Sequence, residues 1–180
     1  MDFTNQRVVV TGGTRGLGRA ATLAFLEAGA TVHATYRGND AAAEALRTDA
    51  GEAADRLHTH RCDVSSAAQV DALWEALGEE SVEVLVNNAG IRRDAILPLM
   101  EQEAWDDVIA TNLTGGYLMT RHAVKNMWAS AMGAWSSSPP PRATWASRAR
   151  RTTEPPRRGR SAWPAASARR WPPAASRSTA

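Results

Sequence analysis

A glycine-rich turn between an apolar run and a helical one constrains this chain more than any other feature. Residues Arg7–Gly18 read RVVVTGGTRGLG: Val8, Val9 and Val10 make a short β-branched run, the glycines follow, and a helix-compatible stretch opens at Leu17. Strand, turn and helix in that order is the arrangement that holds a dinucleotide by its pyrophosphate. Gly12 allows a tight turn, Gly16 keeps side chains away from a phosphate, and Gly18 lets the helix lie close to the strand. The N–H groups of the first helical turn have no partner inside the helix and suit phosphate oxygens. Thr14, Arg15 and Leu17, which stand among the glycines of this turn, are candidate binding residues with them. The spacing is TGxxxGxG rather than GxGxxG, and such a turn by itself is also an ordinary strand-to-helix connection.

The surrounding pattern favours the binding reading. Strand candidates at Arg7–Thr11, Thr31–Tyr36, Leu57–Cys62 and Val82–Asn87 alternate with helical periodicity over Leu17–Ala28, Ala41–Ala50 and Ala67–Leu77. Alternating strands and helices predict an α/β fold, a doubly wound parallel sheet of the Rossmann-like kind with about four strands, incomplete at its C-terminal side. Ligands of such sheets sit beyond the carboxyl ends of the strands, where the glycine turn falls. The one cysteine, Cys62, lies in a predicted strand; it excludes an internal disulfide and reads as a buried, inert thiol. No apolar run reaches the roughly 18 residues of a membrane span, MDFTNQR is no signal peptide, and the cytosol is the simplest compartment. No metal-ligand set is read.

Four short motifs narrow the reading: TGGTRGLG, CDV at Cys62–Val64, NNAG at Asn87–Gly90 and TNL at Thr111–Leu113. In this order and spacing, residues 1 to about 127 resemble the short-chain dehydrogenase/reductase family. The stretch NNAGIRRDAILPLMEQEAWDDVIATNL is similar to the β-ketoacyl-acyl-carrier-protein reductases of fatty acid synthesis, with an RD pair after NNAG and a Trp before the Asn; polyketide ketoreductases share much of it. The resemblance implies NADPH-dependent reduction of 3-oxoacyl thioesters carried on acyl carrier protein, in a homo-oligomer. Asp63 and the Val64 N–H would meet the adenine edge, although Asp63 also suits a helix cap. Asn88, Ala89 and Gly90 would line the ribose pocket. Asn112 would be the catalytic Asn, acting through its backbone carbonyl at a helix distortion that holds a water, and Leu113–Trp128 the helix of dimer contacts. Trp105, on the Gln102–Ile109 helical run, reads as a packing residue. An acidic residue directly after the second strand would bind the ribose 2′-hydroxyl of NAD; here Arg37 stands there, with Arg15 as a second cation, so NADP(H) is expected. Asp40 is the one nearby group that argues the other way.

Beyond Met132 the resemblance ends. The formal net charge of +2 conceals an acidic part, −7 over residues 1–132, and a basic one, +9 over residues 133–180. The family's catalytic Ser and YxxxK have no counterpart: no Tyr follows Tyr117 and no Lys follows Lys125. Residues 133–180 contain only Gly, Ala, Trp, Ser, Pro, Arg, Thr and Glu, with eight of the nine prolines. That composition predicts a disordered Arg/Pro/Ala/Ser-rich tail beside a truncated NADP-binding domain over 1–132. The tail reads as a shifted frame of G+C-rich coding DNA. With each triplet rebuilt from the last base of one codon and the first two of the next, Trp171–Thr179 permits VAPRGITVN. Thr152–Arg157 permits NYGAAK, and Pro140 permits Ser, thirteen residues before that Tyr. The enzyme so described is catalytically incomplete as written. The alternative is a nucleotide-binding remnant whose basic tail holds nucleic acid or other acidic partners. An unpaired sheet edge at Val82–Asn87 further predicts aggregation or a loose compact state.

Overall fold

The computed structural model describes residues 2–135; the predicted tail lies outside them from residue 136 onward. β1 (Arg7–Val10), β2 (Thr31–Tyr36), β3 (Leu57–Arg61) and β4 (Val84–Val86) form one parallel sheet in the order β3-β2-β1-β4. The chain steps outward from β1 to β3 through α1 (Gly16–Glu27) and α2 (Asp40–Ala50). It then returns through α3 (Ala67–Leu77) to the other side of β1. The order reverses between β1 and β4, and a doubly wound sheet binds ligands in the crevice that opens there.

β1 shows why the sequence makes a central strand. Val8 and Val10 face one side, Val9 faces the other, and none of the three is exposed. A strand covered on both faces reads as an unbroken apolar run. On one side Val8, Val10, Val32, Ala34 and Leu57 pack with Leu26 of α1 and Leu46 of α2. On the other, Val9, Cys62 and Val64 pack with Val70, Leu73, Trp74 and Leu77 of α3. Met119 and Ala123 join them from α5 (Gly115–Trp135). Burying each such aliphatic side chain contributes about 1.5–3 kcal/mol. Local signals set the helix starts: the Asn39 side chain accepts the Ala42 N–H at 3.0 Å, and the Ser66 hydroxyl accepts the Gln69 N–H at 3.4 Å.

β4 differs. It holds three half-buried residues and pairs with β1 alone among the described residues. The expected strand from residue 82 is shortened because the Val82 N–H bonds to Asn126 Oδ1 of α5 at 2.8 Å instead of to a strand. After β4 come a short 3₁₀ turn (Leu97–Leu99), α4 (Gln102–Val108) and a π-helical segment (Ile109–Thr114) that runs into α5. The expected helix from residue 113 therefore starts two residues later as α-helix. Trp105 corrects the sequence reading: it is 51% exposed on α4, a seven-residue helix none of whose residues is buried. No helix among the described residues is long and apolar enough to cross a membrane.

Candidate functional site

A cleft of about 620 Å³ opens beyond the carboxyl ends of the strands. Its floor is the glycine turn. Gly12 has φ +63° and Gly16 φ +51°, a left-handed backbone that glycine adopts without strain. A Cβ on Gly18 would collide with the Gly12 carbonyl oxygen and with Asn88, so α1 can close on the turn only without one. Gly13, which the sequence reading passed over, is as constrained: its Cβ would stand 2.8 Å from that of Ala34 and 2.9 Å from Thr22 Oγ1. The GG pair was its one visible signal.

α1 starts unlike its neighbours. Asn39 and Ser66 cap α2 and α3 with their side chains, whereas Arg15 at the head of α1 makes no side-chain cap. The first N–H groups of α1 are thus left for an anionic ligand, and no acidic residue in its first turn would repel one. Thr14, Arg15 and Gly16 line the cleft. Leu17 and Gly18 do not: Leu17 points outward, 84% exposed, and Gly18 lies behind the turn.

Thr11 ties this turn to the end of β4. Its Oγ1 accepts the N–H groups of Asn88 and Ala89, each at 2.9 Å, and donates to the Val86 carbonyl at 3.3 Å. Asn88 answers by donating Nδ2 to the carbonyls of Thr11 at 2.9 Å and Gly12 at 3.2 Å. One hydroxyl and one amide thereby hold Asn88, Ala89 and Gly90 on the cleft wall. Thr11 opens the TGGTRGLG motif, but nothing in the motif's spacing says that its hydroxyl holds the residues after β4.

Asn112 sits in the π-helical segment, where the Gly115 N–H reaches back five residues to the Ala110 carbonyl. Its side chain pairs with the Ile91 backbone, accepting the N–H at 2.8 Å and donating to the carbonyl at 2.9 Å. Asn112 does not line the cleft; its neighbour Thr111 does, with Ile91. What the amide does here is to fasten the segment after β4 to the distorted helix.

The far end of the cleft is cationic. Arg37, directly after β2, lines it with a side chain 65% exposed, and its Nε lies 3.9 Å from Asp63 Oδ2. Asp63 is not the cap of α3, which is Ser66. It instead closes a local turn, its Oδ1 accepting the Ser65 N–H at 3.0 Å and hydroxyl at 2.6 Å. Val64 lies beside it on the wall. Asp40, the residue that argued for NAD, does not line the cleft; its hydrogen bonding and charge raise the pKa of the Tyr36 phenol. Burial pushes the Cys62 thiol up to about 11, with the Asp63 charge adding to the effect, so it stays protonated and unreactive at neutral pH. Thr35, Tyr36, Gly38 and Asn39 complete this end. They lie outside the glycine turn and the charged positions, and the exit of β2 delivers them there.

The short chain dehydrogenase family profile matches residues 6–134. The acetoacetyl-CoA reductase of Paracoccus denitrificans is 45% identical over 116 residues, which cover 62% of this chain and 45% of that one. The 3-oxoacyl-[acyl-carrier-protein] reductase FabG of Vibrio harveyi is 36% identical over 135 residues, covering 74% and 54%. The chain spans about half the length of the curated relatives it matches. A Serratia marcescens short-chain dehydrogenase/reductase variant superposes with a TM-score of 0.67 at 23% identity, over 71% of this chain and 53% of that one, a likeness of fold. With the four-strand order, the glycine turn and the profile match in agreement, the chain belongs to the short-chain dehydrogenase family.

Proposed function

We propose that this protein is the NADP(H)-binding portion of a cytosolic reductase of 3-oxoacyl thioesters, its substrate carried on acyl carrier protein, and that the chain as written does not complete the reaction. The observation that carries the cofactor reading is the pairing of an uncapped α1 with a cationic far wall that Asp40 does not line. The residues present fit the group. The turn Gly12–Gly18 and the first N–H groups of α1 would hold the pyrophosphate. Arg15 and Arg37 would take the 2′-phosphate, as guanidinium forks suit phosphate oxygens. Asp63 with the Val64 N–H would meet the adenine, and Asn88, Ala89 and Gly90 the ribose.

Such a cofactor supplies a hydride when bound. What this chain's residues do is bind and orient. Asn112 holds the Ile91 segment against the π-helical turn, and Thr11 holds the wall that faces the glycines. Proton donation is another matter. A ketone accepting hydride needs a general acid within hydrogen-bond reach, and the family's phenol, with a Lys to lower its pKa, is missing from this sequence. The named relatives support the thioester class, since one group is named for acetoacetyl-CoA and the other for 3-oxoacyl-acyl-carrier-protein.

Fluorescence titration of the 180-residue chain with NADPH and NADH tests the binding half. NADPH should bind at least about tenfold more tightly, the scale of one charge-assisted phosphate contact. Equal affinities, or a preference for NADH, would overturn it. Oxidation of NADPH by the same preparation on addition of acetoacetyl-CoA would overturn the incompleteness.

A further inference from the structure

Arg61 ends β3 in register with Tyr36, the last residue of β2. Parallel strands bring both carboxyl ends to one edge, and the Cys62 N–H bonds to the Tyr36 carbonyl at 2.8 Å to hold them there. From that position Arg61 Nε donates to the Arg37 carbonyl at 3.4 Å. Its terminal nitrogen lies 3.9 Å from the point a Cβ on Gly38 would occupy, and Gly38 lines the cleft. The lack of a side chain at Gly38 leaves the space between the Arg61 guanidinium and the cleft open.

The neighbouring charges give this placement its meaning. Arg37 is shared with Asp63, which offsets part of its charge. Asp40 does not line the cleft. Among the described residues no carboxylate forms an ion pair with Arg61. Arg61 does not line the cleft itself, but its charge stands without a carboxylate partner beside the Arg37–Gly38 turn that does.

We infer that Arg61, resting on the turn between Arg37 and Gly38, is a specificity-determining residue of the adenosine end, selecting a ribose that carries a phosphate over one with a free hydroxyl. The inference rests on the NADP(H) reading above and adds a residue that lies outside the glycine and NNAG motifs. A phosphate carries about −1.5 to −2 charges, so a cation without a carboxylate partner favours it over a neutral hydroxyl at any orientation the turn allows.

The test separates the adenosine end from the rest of the cofactor. Calorimetric titration of the full chain at low salt compares adenosine 2′,5′-bisphosphate with adenosine 5′-monophosphate. Arg61→Gln should weaken the bisphosphate about tenfold and leave the monophosphate within about twofold. Arg61→Lys should retain most of the wild-type preference, since the charge is kept. Thermal melts of both variants should match wild type, because the side chain is exposed. A Gln variant that keeps wild-type affinity for the bisphosphate, or that loses both ligands equally, overturns the inference; so does a Lys variant as weak as the Gln one. A wild-type chain that binds both probes equally overturns the NADP(H) reading itself, an outcome separate from a wild-type preference that survives the Gln substitution.

Discussion

The two flanks of the sheet are built to different standards. From β1 to β3 the strands run four to six residues, and Val8, Val10, Val32, Ala34, Leu26 and Leu46 are essentially without exposed surface. Across β1, β4 has three half-buried residues and one partner strand among those described, and the segment after it leaves Leu97 78% and Leu99 70% exposed. α5 repeats the contrast along its length, with Met119 and Ala123 packed while Tyr117, Val124 and Trp128 stand outward. A parallel strand is stable when both its edges and both its faces are covered, and β4 has one of each edge condition. The cleft bridges the two flanks. Its turn and cationic end stand on the well-packed side, and its NNAG wall depends on Thr11 and Asn112 to hold a poorly covered one.

Substitutions in the two flanks should differ most. Leu26→Ala or Leu46→Ala should cost about 2–5 kcal/mol in urea unfolding, the cost of a cavity in a packed core. Equal losses on the β4 side would break the comparison.

Acid should act next most strongly, again through the packed flank. His33 on β2 is buried, its Nδ1 is 3.0 Å from His60 Nε2, and it stacks on His58 at 4.8 Å between ring centres. Burial, and then the charges of Arg7, His60 and His58, push its pKa down to about 3 from 6.5. His60 is pushed down too, mainly by burial. The unfolded chain thus binds more protons than the folded one between those values. Stability is fully present above pH 6.5 and falls as pH drops toward 3, by a few kcal/mol. His33→Gln should flatten that slope in urea midpoints measured across the range; an unchanged slope would show that the imidazole is not what acid attacks.

Thr11→Val should cost about 1–3 kcal/mol, because two backbone N–H groups lose their acceptor. Hydrogen exchange should show Asn88 and Ala89 faster while β2 stays protected, which sharpens the flank difference to a single hydroxyl. Leu97→Ala and Leu99→Ala should change stability by no more than about 0.5 kcal/mol, as exposed positions do. The expected weakness of the β4 edge makes one further demand: its amides should exchange faster than those of β1. A single sharp melt with β1 and β4 equally protected would remove the asymmetry altogether.

Much of this was legible in the residues. Val8–Val10, Thr31–Tyr36 and Ala67–Leu77 lie where periodicity places them, because each pattern is reinforced by the burial it predicts. The cleft wall was legible in TGGTRGLG and NNAG, since a turn that must approach a ligand needs glycine. Trp105 was not: a seven-residue helix carries too little periodicity to say which face is covered. Nor were the contacts of Thr11 and Gly13, whose partners are 77 residues and one strand away respectively.

The sequence by itself determined the strands and helices, the glycine turn, the cation after β2 and the family, because spacing and backbone freedom are local properties. Only the tertiary structure decided that Asp40 stays off the cleft wall, that Asp63 shares Arg37, that Asn112 fastens Ile91 and that Arg61 rests on the turn after β2. Those assignments depend on which carboxyl ends the parallel register brings to one edge, and no local pattern encodes that distance.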